Sequence, residues 1–210
     1  MPPVIHQPSD ESRQVMGMGK VIPLASAGAT TQLQLRIELL DMSPAVWRSV
    51  IVPAAITLPK LHRVIQAAMG WEDVHLHEFE IAGHRYGEPD LDFPDDALIN
   101  ESRATLAACL NGATSFGYIY DFGDDWQHRI TVDSILSGDA PLKAAHCIAG
   151  EGACPPEDVG GTGGYADLLE VLCNPQHEDY QHRVQWCGGP IDPQYFDLEK
   201  TQRRLSKIKL

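Results

Sequence analysis

The sequence predicts an α+β protein, with a mostly antiparallel or mixed sheet, a packed helix, and a helical C-terminal extension. Three observations carry this. Leu33 to Leu39 and His75 to Ile81 alternate apolar and polar residues with the two-residue period of half-buried strands. Thr57 to Gly70 places Leu61, Val64, Ile65 and Ala68 on one face at helical spacing. No regular strand–helix alternation marks a doubly wound parallel sheet.

Residues 1–30 mix Pro, Gly, Ser, Gln and Ala without a sustained period and read as a flexible N-terminal segment. The folded unit then spans 31–210, with a β-rich core over 31–136 and a helical extension over 137–210. After the strand through Leu39, Asp41-Met42-Ser43-Pro44 supplies a turn and Val46 to Val52 a return strand. Pro53 stops that strand, Thr57 is placed to cap the helix, and Gly70 ends it. Gly87 to Asn100 is an acidic surface loop, and Arg103 to Leu110 a short helix. Phe116 to Phe122 and Trp126 to Ile135 form a hairpin about Gly123-Asp124-Asp125, residue types that tolerate turn conformations. Ala140 to Gly164 is rich in Pro, Gly and Cys, and helical patterns follow at Tyr165 to Cys173, Glu178 to Trp186 and Tyr195 to Ile208.

Composition narrows the function classes. The chain of 210 residues has 16 Lys+Arg against 29 Asp+Glu, a formal net charge of −13 that disfavours direct nucleic-acid binding. No apolar run reaches the roughly 20 residues that span a bilayer, and Met1 to Lys20 lacks the features of a signal peptide. The expected location is cytoplasmic, with no membrane partner. An odd count of five cysteines fits reduced thiols there.

Four residue sets could carry chemistry. His75 and His77 lie two apart on one strand, and His128 on the apolar face of another, so three imidazoles could converge on a divalent metal such as zinc. They could equally be core histidines bonded to a carboxylate or a carbonyl. Asp121, Asp124 and Asp125 could bind a cation or act as a base, or simply accept bonds from their own turn amides. Asp121 closes an aromatic strand and is placed to orient His128 or His77. Cys147 and Cys154 have six intervening residues, which argues against a zinc knuckle. Gly160 to Gly164 lacks the following Lys-Ser/Thr of a phosphate loop and reads as a flexible lead into a helix.

Five ordered motifs carry a resemblance: Val46 to Pro53, Leu61 to Trp71, His75 to Phe79, Tyr120 to His128, and Ala153 to Gly161. With them the stretch from Leu33 to Ile208 resembles the plasmid Ri ORF-3-like family. That resemblance implies an α+β fold but little mechanism. Some members carry the label of resolvase-like passenger proteins of transposable elements. A serine recombinase needs a nucleophilic serine and an arginine cluster for the scissile phosphate. Here Ser9 and Ser12 lie in the N-terminal segment and the arginines are scattered.

The expectation is therefore a protein- or ligand-binding module with a polar pocket of His75, His77, Asp121, Asp124, Trp126 and His128. The alternatives are a metal-dependent hydrolase-like enzyme, with His75, His77 and His128 as ligands, and a DNA-acting accessory protein of a mobile element.

Overall fold

The computed structural model describes residues 31–90 and 92–210, so the expectation for residues 1–30 lies outside the described residues. Eight strands form one sheet: β1 (Thr31–Leu39), β2 (Val46–Pro53), β3 (His77–Ile81), β4 (His84–Gly87), β5 (Leu98–Asn100), β6 (Ser115–Tyr120), β7 (Trp126–Ser137) and β8 (His146–Glu151). Their order is β5-β4-β3-β6-β7-β1-β2-β8, antiparallel throughout except for the parallel pair β4–β5. The helices are α1 (Leu58–Met69), α2 (Leu106–Leu110), α3 (Gly161–Leu172), α4 (Tyr180–Trp186) and α5 (Leu198–Leu205), with a 3₁₀ turn over Glu101–Arg103. The α+β class and the mixed sheet match the sequence expectation.

β1 sits between β7 and β2 and buries Leu33, Leu35, Ile37 and Leu39 on one face, as its alternation requires. Against that face α1 packs Leu58, Leu61, Val64, Ile65 and Ala68, all essentially inaccessible to solvent. Each of the Leu, Val and Ile side chains contributes about 1.5–3 kcal/mol on burial, which outweighs the marginal intrinsic stability of a 12-residue helix. Gly70 closes the helix in a left-handed conformation, φ 114°, and its N–H donates to Gln66 O. Thr57 occupies the N-cap position, but its side chain makes no capping bond. Backbone pairing replaces it: Leu58 N–H donates to Ala104 O and Leu106 N–H to Ile56 O. This explains why the 103–110 stretch is not one helix. Ala104 and Thr105 are extended to bond this segment, and helix resumes at Leu106.

Three strands lack a periodic signal: β4, β5 and β8. The first two are four and three residues long at one sheet edge, and β5 lies inside the stretch read as a loop. β8 lies within the Pro/Gly/Cys-rich stretch and pairs with β2 at the opposite edge, where α5 contacts both β8 and α1. Helix α3 begins at Gly161 rather than Tyr165, so the glycine run is its first turn. A Cβ on Gly161 would stand 2.6 Å from Asp124 O, at φ +68°, so the tip of the β6–β7 hairpin can approach only a glycine.

Arg48 joins these layers. Its buried guanidinium donates from Nε to Ala68 O near the end of α1 (3.0 Å), from Nη1 to Trp47 O (2.7 Å) and Glu151 O (2.8 Å), and from Nη2 to Gly152 O (3.0 Å). A fixed fork can satisfy that many carbonyls at once, whereas an ammonium cannot. Arg48→Met should lower the unfolding free energy by about 3 kcal/mol, because the carbonyls stay buried without donors. Urea unfolding checks this; a loss below about 1 kcal/mol would show that water reaches those carbonyls.

Candidate functional site

The segment from Gly70 to Leu76 leaves α1 and enters β3, and its path is set by Asp73. Asp73 takes a left-handed conformation, φ 60°, which a short polar side chain tolerates better than most. Its backbone N–H donates to Gln66 Oε1 (3.1 Å), and its carboxylate lies 2.6 Å from His62 Nε2. His62 and Gln66 are one helical turn apart on α1, both buried, and both reach Tyr118 Oη on β6, at 2.8 Å from His62 Nδ1 and 3.1 Å from Gln66 Nε2.

Donor roles follow from chemistry. The carboxylate can only accept, so Nε2 of a neutral His62 carries the proton and Nδ1 accepts from the Tyr118 hydroxyl. The hydroxyl accepts in turn from Gln66, whose carbonyl oxygen accepts from Asp73. The bonds form a closed ring that begins and ends on Asp73. Burial pushes the Tyr118 hydroxyl well above the ordinary tyrosine range and lowers the His62 imidazole, with neighbouring His77 adding to the latter. His77 stacks on His62 with ring centroids 3.6 Å apart and planes 9° from parallel, and its Nε2 is 3.1 Å from buried Glu101 Oε2.

His62, Asp73, His77 and Glu101 line a cavity of about 730 Å³. Six carboxylates face it against two guanidiniums, and Arg85 is already held by Glu78 (2.6 and 2.8 Å) and Asp95 (2.8 Å). The rim is apolar and exposed: Val74 60%, Leu76 62%, Phe93 82% and Phe122 55%. Carboxylates thus outnumber guanidiniums in the cavity, and four of its lining apolar side chains are exposed.

His75 also lines the cavity but belongs to a separate cluster. Its Nε2 is 3.1 Å from Asp158 Oδ1, 3.5 Å from Asp121 Oδ2 and 3.9 Å from Glu157 Oε2. Asp121 terminates β6 in a left-handed conformation, φ 56°, and its Oδ1 accepts from Gly123 N–H (2.9 Å) and Asp124 N–H (3.3 Å). Glu157 Oε1 accepts from Glu72 N–H (2.8 Å) and the Tyr120 hydroxyl (3.1 Å). Among the described residues, His75, Asp121 and Asp158 form the one set of three such side chains with ligand atoms within 4.8 Å of one another.

The three histidines that could converge on a metal each meet a different set of partners. His75 lies at a bend before strand pairing starts, so the two-residue rule that put it beside His77 does not govern it. His128 is buried on β7, with Nδ1 2.9 Å from Trp126 O, and its ring meets Trp71 edge-on at 5.3 Å. Asp121 faces His75 rather than His128 or His77. Asp124 Oδ2 accepts from Gly160 N–H (3.0 Å), tying the hairpin to α3, and Trp126 is a core residue. In the hairpin loop the left-handed residues are Asp121 and Asp125, not Gly123. Burial pushes the Cys147 thiol up and that of Cys154 up to about 12, which leaves neither a ready thiolate.

Sequence reasoning missed His62, Gln66, Asp73, Glu101, Tyr118, Glu157 and Asp158. One signal was available: His62 and Gln66 are polar residues spaced i, i+4 beside the apolar stripe of α1. Glu157 and Asp158 come from a distant loop and carried none.

A profile of plasmid pRiA4b ORF-3-like proteins matches residues 31–200. The chain belongs to this family. Relatives within reach of the ORF-3-like chain include an uncharacterized protein, y4hQ, of Sinorhizobium fredii, 39% identical over 159 residues, covering 75% of this chain and 81% of the relative. A crystal structure of a protein of unknown function, MM3350, from Methanosarcina mazei Go1 superposes with a TM-score of 0.71 at 37% identity, over 80% of this chain and 96% of that one. The two chains share a fold.

His128 sets a pH dependence. Burial holds its imidazole down from 6.5 to about 4, so the neutral form is native. Stability from this residue is full above pH 6.5 and lost as pH falls towards 4, where the unfolded chain binds a proton that the native state does not. The displacement corresponds to about 3 kcal/mol. His128→Gln should flatten the stability profile between pH 6.5 and 4, measured by urea unfolding at several pH values; an unchanged slope would assign the loss to other groups.

Proposed function

We propose that this ORF-3-like chain is a non-catalytic binding module, whose cavity takes a basic side chain from a peptide segment of a protein partner. The observation that carries the reading is the pairing of an acidic floor with an exposed apolar rim in one cavity. Half-exposed Asp73 and buried Glu101 both line the cavity, each holding an imidazole, while Val74, Leu76, Phe93 and Phe122 expose apolar side chains to it. A cationic head would meet the carboxylates and its apolar neighbours the rim, as in interfaces that anchor one long side chain in a desolvated pocket.

The same field disfavours a phosphate backbone, which speaks against the DNA-acting reading. Among the described residues no helix is long and apolar enough to cross a membrane. Five free thiols suit a reducing compartment such as the cytoplasm. A metal-dependent hydrolase is the second reading, and the cluster of carboxylates about His75 is the observation that favours it.

Short peptides with a central Arg between apolar residues should shift the His62 and His77 ring signals in NMR titrations. The matched Glu peptide should not. Glu101→Gln and Phe122→Ser should each weaken the Arg peptide about tenfold, roughly 1.4 kcal/mol. Equal affinity for the Arg and Glu peptides would end the cationic-ligand reading.

A further inference from the structure

The carboxylates about His75 are arranged as a coordination shell. An imidazolium in that position could give its single Nε2–H to one oxygen, yet three carboxylate oxygens lie 3.1–3.9 Å from this nitrogen. His75 Nε2 and Glu157 Oε2 are both buried, and neither makes a hydrogen bond. A buried polar atom without a protein partner is costly, so two such atoms 3.9 Å apart mark a place suited to a polar or cationic ligand. The Asp121 side chain is nine-tenths buried, 10% exposed, and aims Oδ2 at the same point.

A second observation is independent of these distances. Asp121 and Glu157 each have one carboxylate oxygen tied down by protein donors and the other directed at His75. Two turn amides hold Asp121 Oδ1, while the Glu72 amide and the Tyr120 hydroxyl hold Glu157 Oε1. The Tyr120 hydroxyl is itself positioned by Val74 N–H (3.1 Å). Outer donors that fix the free oxygen of a ligating carboxylate are the habit of metal sites. An ion bonded at about 2.1 Å separates its ligand atoms by about 3 Å at right angles and about 4 Å across the ion. The distances from His75 Nε2 to Asp121 and Asp158, 3.5 and 3.1 Å, fall in that range, and the ligand atoms of these three residues all lie within 4.8 Å of one another.

We propose that His75, Asp121 and Asp158 bind a divalent transition-series cation, of the Mn²⁺ or Zn²⁺ class, with the Glu157 carboxylate adding negative charge beside them. One imidazole with two carboxylates suits these ions better than Ca²⁺, which takes oxygen ligands alone, or Cu⁺, which seeks sulfur. Asp158 is the exposed member, with 72% of its side chain accessible, and it supplies the solvent-facing ligand. The site stands apart from the ligand of the cavity: it uses neither His62, His77 nor Glu101.

Full-length protein stripped with chelator should take up one equivalent of Mn²⁺ in a titration followed by electron paramagnetic resonance. Bound Mn²⁺ should broaden the His75 ring signals. Asp158→Asn keeps a residue type that accepts φ 56° and should weaken uptake at least about tenfold while the fold, checked by thermal unfolding, is retained. His75→Gln should do the same, and His77→Gln should leave uptake unchanged. Absence of saturable uptake of both Mn²⁺ and Zn²⁺ at millimolar concentration, or uptake unaltered in the His75→Gln/Asp158→Asn double variant, would overturn the assignment.

Discussion

Three buried polar side chains, His62, Gln66 and Tyr118, lie between α1 and the sheet, each satisfied because it completes the bonding of the next, and half-exposed Asp73 closes the ring. The ring Asp73–His62–Tyr118–Gln66 is the constraint on which the site depends. A helix could pack on β6 through leucines alone, with less desolvation to offset. Such a helix would not specify where the chain goes after Gly70. Because the ring starts and ends on Asp73, it fixes the segment that follows. Val74 is thereby presented to the Tyr120 hydroxyl and His75 to the carboxylates beyond it. Satisfied buried networks confer this kind of uniqueness, and half-satisfied ones lose it.

The second support comes from the far edge of the sheet. Arg48 binds the carbonyls of α1, β2 and the residues at the end of β8, and so anchors the chain that continues to Glu157 and Asp158. Trp71 adds a bond to Pro155 O (3.0 Å) from the other side. Glu157 is thus delivered to His75 by a loop held at both ends, which lets residues more than 80 positions apart share a cluster.

The parts of this arrangement that were legible in the sequence are those with a period. β1, β2, α1 and the β6–β7 hairpin each repeat an apolar spacing long enough to read. β4, β5 and β8 are edge strands too short or too irregular for alternation to show. His75 and His77 looked equivalent because a strand period assumes that the strand has begun, and pairing starts only at His77. His128 was visible as an inward residue of β7, but burial makes it a neutral core group rather than a ligand. Tyr118 and Glu101 contribute through the fold alone, and no local spacing marks them.

Among the described residues, seven other than glycine adopt positive φ, and five are aspartates: Asp41, Asp73, Asp121, Asp125 and Asp158. Three of these also supply carboxylates to the ring or to the His75 cluster. At such positions conformation and charge are separate requirements met by one residue. Asparagine or glycine would preserve the bend and remove the negative charge, whereas glutamate would keep the charge and strain the backbone. Shape and electrostatics can therefore diverge within the ORF-3-like family without loss of the fold. A member bearing Asn at 73, 121 and 158 would superpose on this chain and yet have a different chemistry, so likeness of backbone is a poor guide to shared activity here.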